Sequence, residues 1–182
     1  MLSREKAMEL IKQHVKRKNI LKHMLATEAV MKELAKKFNE DEELWGIAGL
    51  LHDLDYDYTF ESPEKHGLMT VEMLKNYDVP EDVKNAILAH CEKKERENLV
   101  EKAIYAADPV TGFIVAAVLI RKGTKLKDLT VDFLKNRFKE KSFARGASRE
   151  KMLCCEDFGL PLDEFLALSL KAMQGISSEL GL

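Results

Sequence analysis

Apolar residues recur every three or four positions through most of the chain, and no segment alternates with period two for long enough to form a strand. The first helix is predicted from about Arg4 to Val15, with Ser3 as its N-cap. A second spans about Leu21 to Phe38, with Met24, Met31, Leu34 and Phe38 on one stripe. The third, from about Glu42 to Leu54, is apolar nearly all round, which marks a buried central helix. After the polar stretch Asp55 to Glu61, Ser62 and Pro63 read as an N-cap followed by proline at the first helical position, opening a helix to about Asn76. Pro80 opens another to about Cys91, Asn98 one towards Ala107, and Pro109 an apolar one ending near Lys122. Shorter helices are expected at Val131 to Phe138 and Arg149 to Phe158, before a closing amphipathic helix that carries Leu162, Phe165, Leu166, Leu170, Met173, Ile176 and Leu180. The expected fold is an all-α bundle of about eight to ten helices, one domain over residues 1–182, with no significant sheet.

Composition supports this and narrows the classes. Nine glycines and four prolines in 182 residues fall well below the usual share of roughly 12%, which argues against a sandwich or barrel. Basic and acidic residues nearly balance, 29 against 31, so no overall basic field calls for nucleic acid, and no specific nucleic-acid partner is expected. Of the three cysteines, Cys154 and Cys155 are adjacent and suit no disulfide framework. The N-terminal segment MLSREKAMELIKQ lacks the apolar stretch of a signal peptide. The longest apolar run, Pro109 to Ile120, is too short to span a bilayer. A reduced, cytoplasmic chain without membrane association is therefore expected. The five histidines are left to be explained.

His52 and Asp53 lie side by side where the most buried helix meets the loop DLDYDYTFES. Desolvating both is costly unless something pairs with them. A divalent metal is one partner, since imidazole nitrogen and carboxylate oxygen are both metal ligands; a helix cap with a mutual hydrogen bond is the other. His23 shares a side of its helix with Val30 and Leu34, and His90 continues the stripe Val83, Ala86, Ile87. Asp108 ends the apolar face Val100, Ala103, Ile104, Ala107, and His66 falls in the first turn of its helix. Bundles build metal sites from such facing positions. Each histidine also reads as a hydrogen-bonded core residue, and Asp108, directly before Pro109, as an N-cap. His14 lies on a comparable stripe and has no assigned role.

The order His23, His52-Asp53, Asp108, all on helices, resembles the HD-domain superfamily of metal-dependent phosphohydrolases, whose pattern is H…HD…D on a helical bundle. The contexts GLLHDLDYD, HG, AILAHCE and YAADP are similar to an HD/HDIG-type bacterial branch, and the resemblance covers the chain in length and order. It implies that His23, His52, Asp53 and Asp108 hold a first divalent metal (Mn, Fe, Co, Zn, Ni or Mg), and that His66 and His90 add a second, bridged by Asp53. The chain departs from characterised members where Leu54-Asp55 follows the HD pair, where Cys91 follows His90, and where Tyr56 stands four residues after His52.

The resemblance implies hydrolysis of a phosphate ester of a small metabolite or nucleotide by a metal-activated water. Asp53 is placed at the reacting centre. Asp55 or Asp57 would orient that water or shuttle a proton; each also reads as an ordinary loop carboxylate. In the basic segment Lys135 to Lys151, Lys141 and Arg145 are candidates for holding the phosphate, with Lys65 a weaker one, and a solvated charged face is the alternative. The same ligand order is also that of a di-iron oxygenase of this fold, and a non-catalytic metal or nucleotide sensor is a third class. A homo-oligomer is compatible with the sequence. Cys154-Cys155 reads as a redox or soft-metal pair, or as buried helix positions.

Overall fold

The computed structural model describes residues 1–182. Ser3 accepts a hydrogen bond from the Lys6 amide and starts α1 (Arg4–His14). The long α2 (Lys18–Phe38) ends at Asn39, whose left-handed backbone (φ 57°) closes the helix. Asp41 then caps α3 (Glu42–Leu51) by accepting from the Glu43 and Leu44 amides. There follow α4 (Tyr56–Thr59), α5 (Leu68–Leu74), α6 (Glu81–His90), α7 (Leu99–Leu119), α8 (Val131–Phe138), α9 (Arg149–Leu153), α10 (Leu162–Gly175) and α11 (Ser177–Leu180). Three short 3-10 turns complete the set, and there is no strand. Eleven α-helical segments exceed the expected eight to ten because α4 and α11 are single four-residue turns.

Three boundaries differ most from the sequence pattern, besides α3 ending at Leu51 and Cys154–Phe158 after α9 forming a 3-10 turn. Asn98–Ala107 and Pro109–Lys122 are not separate helices: α7 runs through Pro109. Proline inside a helix removes one backbone bond and costs about 3 kcal/mol. Here Ile104 and Ala107 before it, and Val110, Phe113, Ile114 and Ala117 after it, are all completely buried, and their burial outweighs that cost. The joined helix is long and apolar enough to cross a membrane, but most of it is buried among the other helices. Second, Ser62 does not open a long helix. Pro63–Lys65 is one 3-10 turn, His66 is extended, and Gly67 at φ 77° redirects the chain into α5. Third, the closing helix breaks at Ile176, between α10 and α11.

One apolar core joins all of these helices. At its centre α3 packs on α2 and α6, while α7 packs on α2, α6 and α10. Gly49 sets the α2–α3 spacing: a β-carbon there would stand 2.8 Å from the Thr27 carbonyl oxygen. That close approach brings the end of α3 against His23 on α2.

Candidate metal centre

Six side chains from five parts of the chain converge. His23 lies in the second turn of α2, His52 and Asp53 directly follow α3, His66 precedes Gly67, His90 is the last residue of α6, and Asp108 sits in the middle of α7. His23 Nε2 is 3.1 Å from His52 Nε2, 3.1 Å from Asp108 Oδ1 and 3.6 Å from Asp53 Oδ2. His52 Nε2 is 3.5 Å from Asp53 Oδ1. On the other side of Asp53, its Oδ1 is 3.3 Å from His66 Nε2 and 3.6 Å from His90 Nε2, and those two nitrogens are 3.1 Å apart. Asp53 thus faces His23 with one oxygen and the His66–His90 pair with the other.

The second ring nitrogen of every histidine is already engaged. His52 Nδ1 donates to the Gly49 carbonyl and His90 Nδ1 to the Ile87 carbonyl, each three residues back in its own helix. His66 Nδ1 donates to Asp55 Oδ1 at 2.8 Å. His23 Nδ1 stands 2.8 Å from Thr111 Oγ1; that hydroxyl donates to the Asp108 carbonyl, so it accepts from the ring. In the neutral form that metal binding requires, all four rings, protonated on Nδ1, turn Nε2 lone pairs towards one small volume. Nitrogens 3.1 Å apart are held together by a proton or a metal cation between them. Two ligands about 2.1 Å from one ion stand roughly 3.0–3.4 Å apart, so the donor set and its spacing fit divalent metal ions.

The electrostatics point the same way. Burial works against charge on His66, yet hydrogen bonds and charge from Asp53 and Asp55 push its pKa up to about 10. Burial likewise opposes charge on His23, and Asp108 and Asp53 outweigh it, raising its pKa. His52, with no exposed surface, is driven down to about 4, chiefly by burial. Burial opposes ionisation of Asp53 and Asp108, but neighbouring imidazoles hold Asp53 well below the carboxylate range and Asp108 at about 2. The pocket is built to receive positive charge.

The remaining candidates fall elsewhere. Asp55 is fully buried, and its Oδ2 accepts from the Gly67 and Thr70 amides; with both oxygens engaged it orients His66 and has no oxygen free to orient a water. Asp57 faces away, accepting from the Lys16 and Arg17 amides and pairing with the Arg17 guanidinium at 3.0 Å. Asp108 lies inside α7, so it caps nothing. Lys65, Lys141 and Arg145 are exposed and do not line the cavity above the ligands, although Ala144, Gly146 and Ala147 do. His14 pairs with the Tyr58 hydroxyl. Cys155 is buried, its thiol pushed up to about 12 by burial, and neither it nor Cys154 belongs to a ligand cluster. Two residues of the site escaped the sequence reading: Thr111, at helical spacing from Asp108, and Lys22, beside His23.

Comparisons with known proteins agree with the geometry. Residues 20–112 match the family model described as HD domain. Ribonuclease Y of Desulforudis audaxviator is 31% identical over 138 residues, 72% of this chain and 26% of that protein. Ribonuclease Y of Aliarcobacter butzleri is 37% identical over 93 residues, 51% of this chain and 18% of that protein. Ribonuclease Y of Clostridium novyi is 28% identical over 170 residues, 89% of this chain and 33% of that protein. The chain spans about a third or less of the curated relatives it matches. No solved structure matches it. With the matched stretch running from the start of α2 to the Asp108 turn of α7, and so holding all six converging side chains, this chain belongs to the HD domain family.

Proposed function

We propose that this chain is a metal-dependent phosphohydrolase that cleaves a phosphate ester of a small metabolite or nucleotide. The carrying observation is the four imidazoles whose Nδ1 atoms are all engaged, leaving four Nε2 lone pairs and two carboxylates around one volume. His23, His52, Asp53 and Asp108 would hold one ion, and Asp53, His66 and His90 a second. Such an imidazole-rich set suits Mn, Fe, Co, Ni or Zn better than Mg, which prefers oxygen ligands. When bound, the ions lower the pKa of water towards neutrality and polarise the phosphoryl oxygen.

The chain supplies the rest. Asp53 and Asp108 stay ionised, and the backbone carbonyls, Thr111 and Asp55 hold the rings in orientation, so that binding displaces protons from the imidazoles without turning them. Lys22, which lines the cavity and makes no ion pair in the chain, offsets phosphate charge. Hydrolysis joins a water oxygen to phosphorus, breaks the ester P–O bond and leaves a proton on the departing alcohol.

A second reading is an RNA phosphodiester, favoured by the relatives' name, and it would reverse the expectation of no nucleic-acid partner. The deciding experiment is metal analysis of the purified protein, with turnover of phosphomonoesters, cyclic phosphodiesters and short RNA under Mn(II), Co(II), Fe(II) and Mg(II). Asp53→Ala is expected to abolish both metal and turnover. A variant that stays fully metallated and active overturns the proposal, and oxygen consumption in place of phosphate release makes the protein an oxygenase.

A further inference from the structure

The cavity above the metal ligands is larger than a phosphate requires, at about 880 Å³. One stripe of α7 lines it, from Asp108 through Gly112, Val115 and Ala116 to Leu119. At 1.5 Å per residue that stripe runs roughly 16 Å away from the ligand carboxylate. Beyond Asp108 it carries no charge. Leu119 is 70% exposed although it lines the concavity, and Leu180 of α11, itself buried, backs the cavity wall. An exposed leucine within a cavity, on a helix whose other apolar residues are mostly buried, has no partner inside the chain.

The charges are as selective as the apolar stripe. Apart from the His–Asp cluster itself (His23, Asp53, His66 and Asp108), the one charged side chain lining the cavity is Lys22. Its ammonium lies beside Gly181, where a β-carbon would come within 3.1 Å. A polyphosphate, or a nucleic-acid backbone with one charge per residue, calls for several cations along its track. One lysine beside a metal centre suits one phosphate.

Resting on the hydrolase reading only for where the phosphate sits, we propose that the cavity takes a single phosphate esterified to an uncharged apolar or aromatic body. The phosphate lies between Lys22 and the His–Asp cluster, and the body lies along Val115, Ala116 and Leu119. Water then releases an apolar or aryl alcohol and inorganic phosphate.

The test uses Mn(II)-loaded protein and reads binding separately from turnover. Calorimetry with methylphosphonate, phenylphosphonate and 1-naphthylphosphonate is expected to show affinity rising about tenfold or more across the series, since each buried methylene-sized unit is worth roughly fourfold. Leu119→Ser, at an exposed position that does not threaten folding, should weaken the naphthyl probe about threefold to fivefold and leave methylphosphonate unchanged. Lys22→Ala should weaken all three by a similar factor, with Lys22→Arg restoring most of it. Equal affinity across the series, or tighter binding of pyrophosphate or a dinucleotide, overturns the proposal. Turnover of the matching phosphate esters separates the two ideas. Aryl preference in binding without hydrolysis sinks the hydrolase reading alone, and hydrolysis without aryl preference sinks the substrate class alone.

Discussion

Asp55 Oδ1 lies 2.8 Å from His66 Nδ1, so a fully buried carboxylate fixes the ring whose Nε2 faces Asp53. The same carboxylate ties that ring to the first turn of α5 through the Gly67 and Thr70 amides. Asp55→Asn keeps the volume but replaces one acceptor oxygen with a donor. Losing the carboxylate that orients a metal-binding imidazole costs about 10–100-fold in metal affinity. The expected outcome is selective weakening of the ion proposed at Asp53, His66 and His90, with the one proposed at His23, His52 and Asp108 retained. Metal titration giving one weakened and one intact stoichiometric step checks this. Equal weakening of both steps would mean that Asp55 supports the fold and not the one ring.

Thr111 plays the corresponding part for His23. Its hydroxyl donates to the Asp108 carbonyl and can only accept from the ring, which sets the tautomer that exposes Nε2. Thr111→Val removes the acceptor at nearly constant volume. The opposite ion should weaken by about 10–100-fold while the melting temperature changes little. Nitrogen NMR of the metal-free variant should show His23 losing its Nδ1-protonated form, and retention of that form would refute the assignment.

Gly67 is required twice over. Its φ of 77° disfavours any β-carbon, and that carbon would collide with the Cys91 thiol and come within 3.3 Å of the Ile87 carbonyl. Gly67→Ala should destabilise the protein by about 2–3 kcal/mol. Adding Cys91→Ala removes the thiol contact but neither the dihedral strain nor the carbonyl contact, so about 1 kcal/mol should return. Denaturant unfolding of the two variants measures both numbers. No recovery in the double variant would show that the thiol is not the obstacle.

Most of the helices were legible because burial writes a 3.6-residue period into the chain: α8 begins and ends where its pattern does. Pro109 misled because a local rule about proline met a helix buried on both sides of it. The six converging side chains could be collected only by resemblance, since periodicity treats His14 and His23 alike. The loop after His52 was opaque for another reason. Asp55 and Asp57 sit two residues apart, but one is enclosed by a chain reversal at Gly67 and the other turns outward to Arg17. That outcome depends on contacts eleven and forty residues away along the chain, which no local pattern records. Lys22 was passed over because a lysine next to a core histidine on a helix reads as solvent-facing.

Arg149 tests how the cavity wall is held. Its guanidinium meets no carboxylate; it donates to the carbonyls of Arg137, Phe138, Glu140, Phe143, Ala144 and Ala147, and lies 4.6 Å from the centre of the Phe113 ring. Burial lowers its pKa, and that unfavourable effect is met by the converging carbonyl dipoles, of which those of Arg137, Glu140 and Ala144 also accept backbone amides. The segment so gathered carries Ala144, Gly146 and Ala147, which line the cavity. Lysine keeps the charge but not the planar array of donors, so Arg149→Lys should still cost about 2–4 kcal/mol. Hydrogen exchange should quicken across residues 138–148 while α2 and α3 stay protected. Because no hydrogen bond or ion pair joins the His–Asp cluster to this segment, metal affinity should be unchanged and probe binding in the cavity weakened. Loss of metal affinity in Arg149→Lys would show that the wall and the ligand cluster are one cooperative unit.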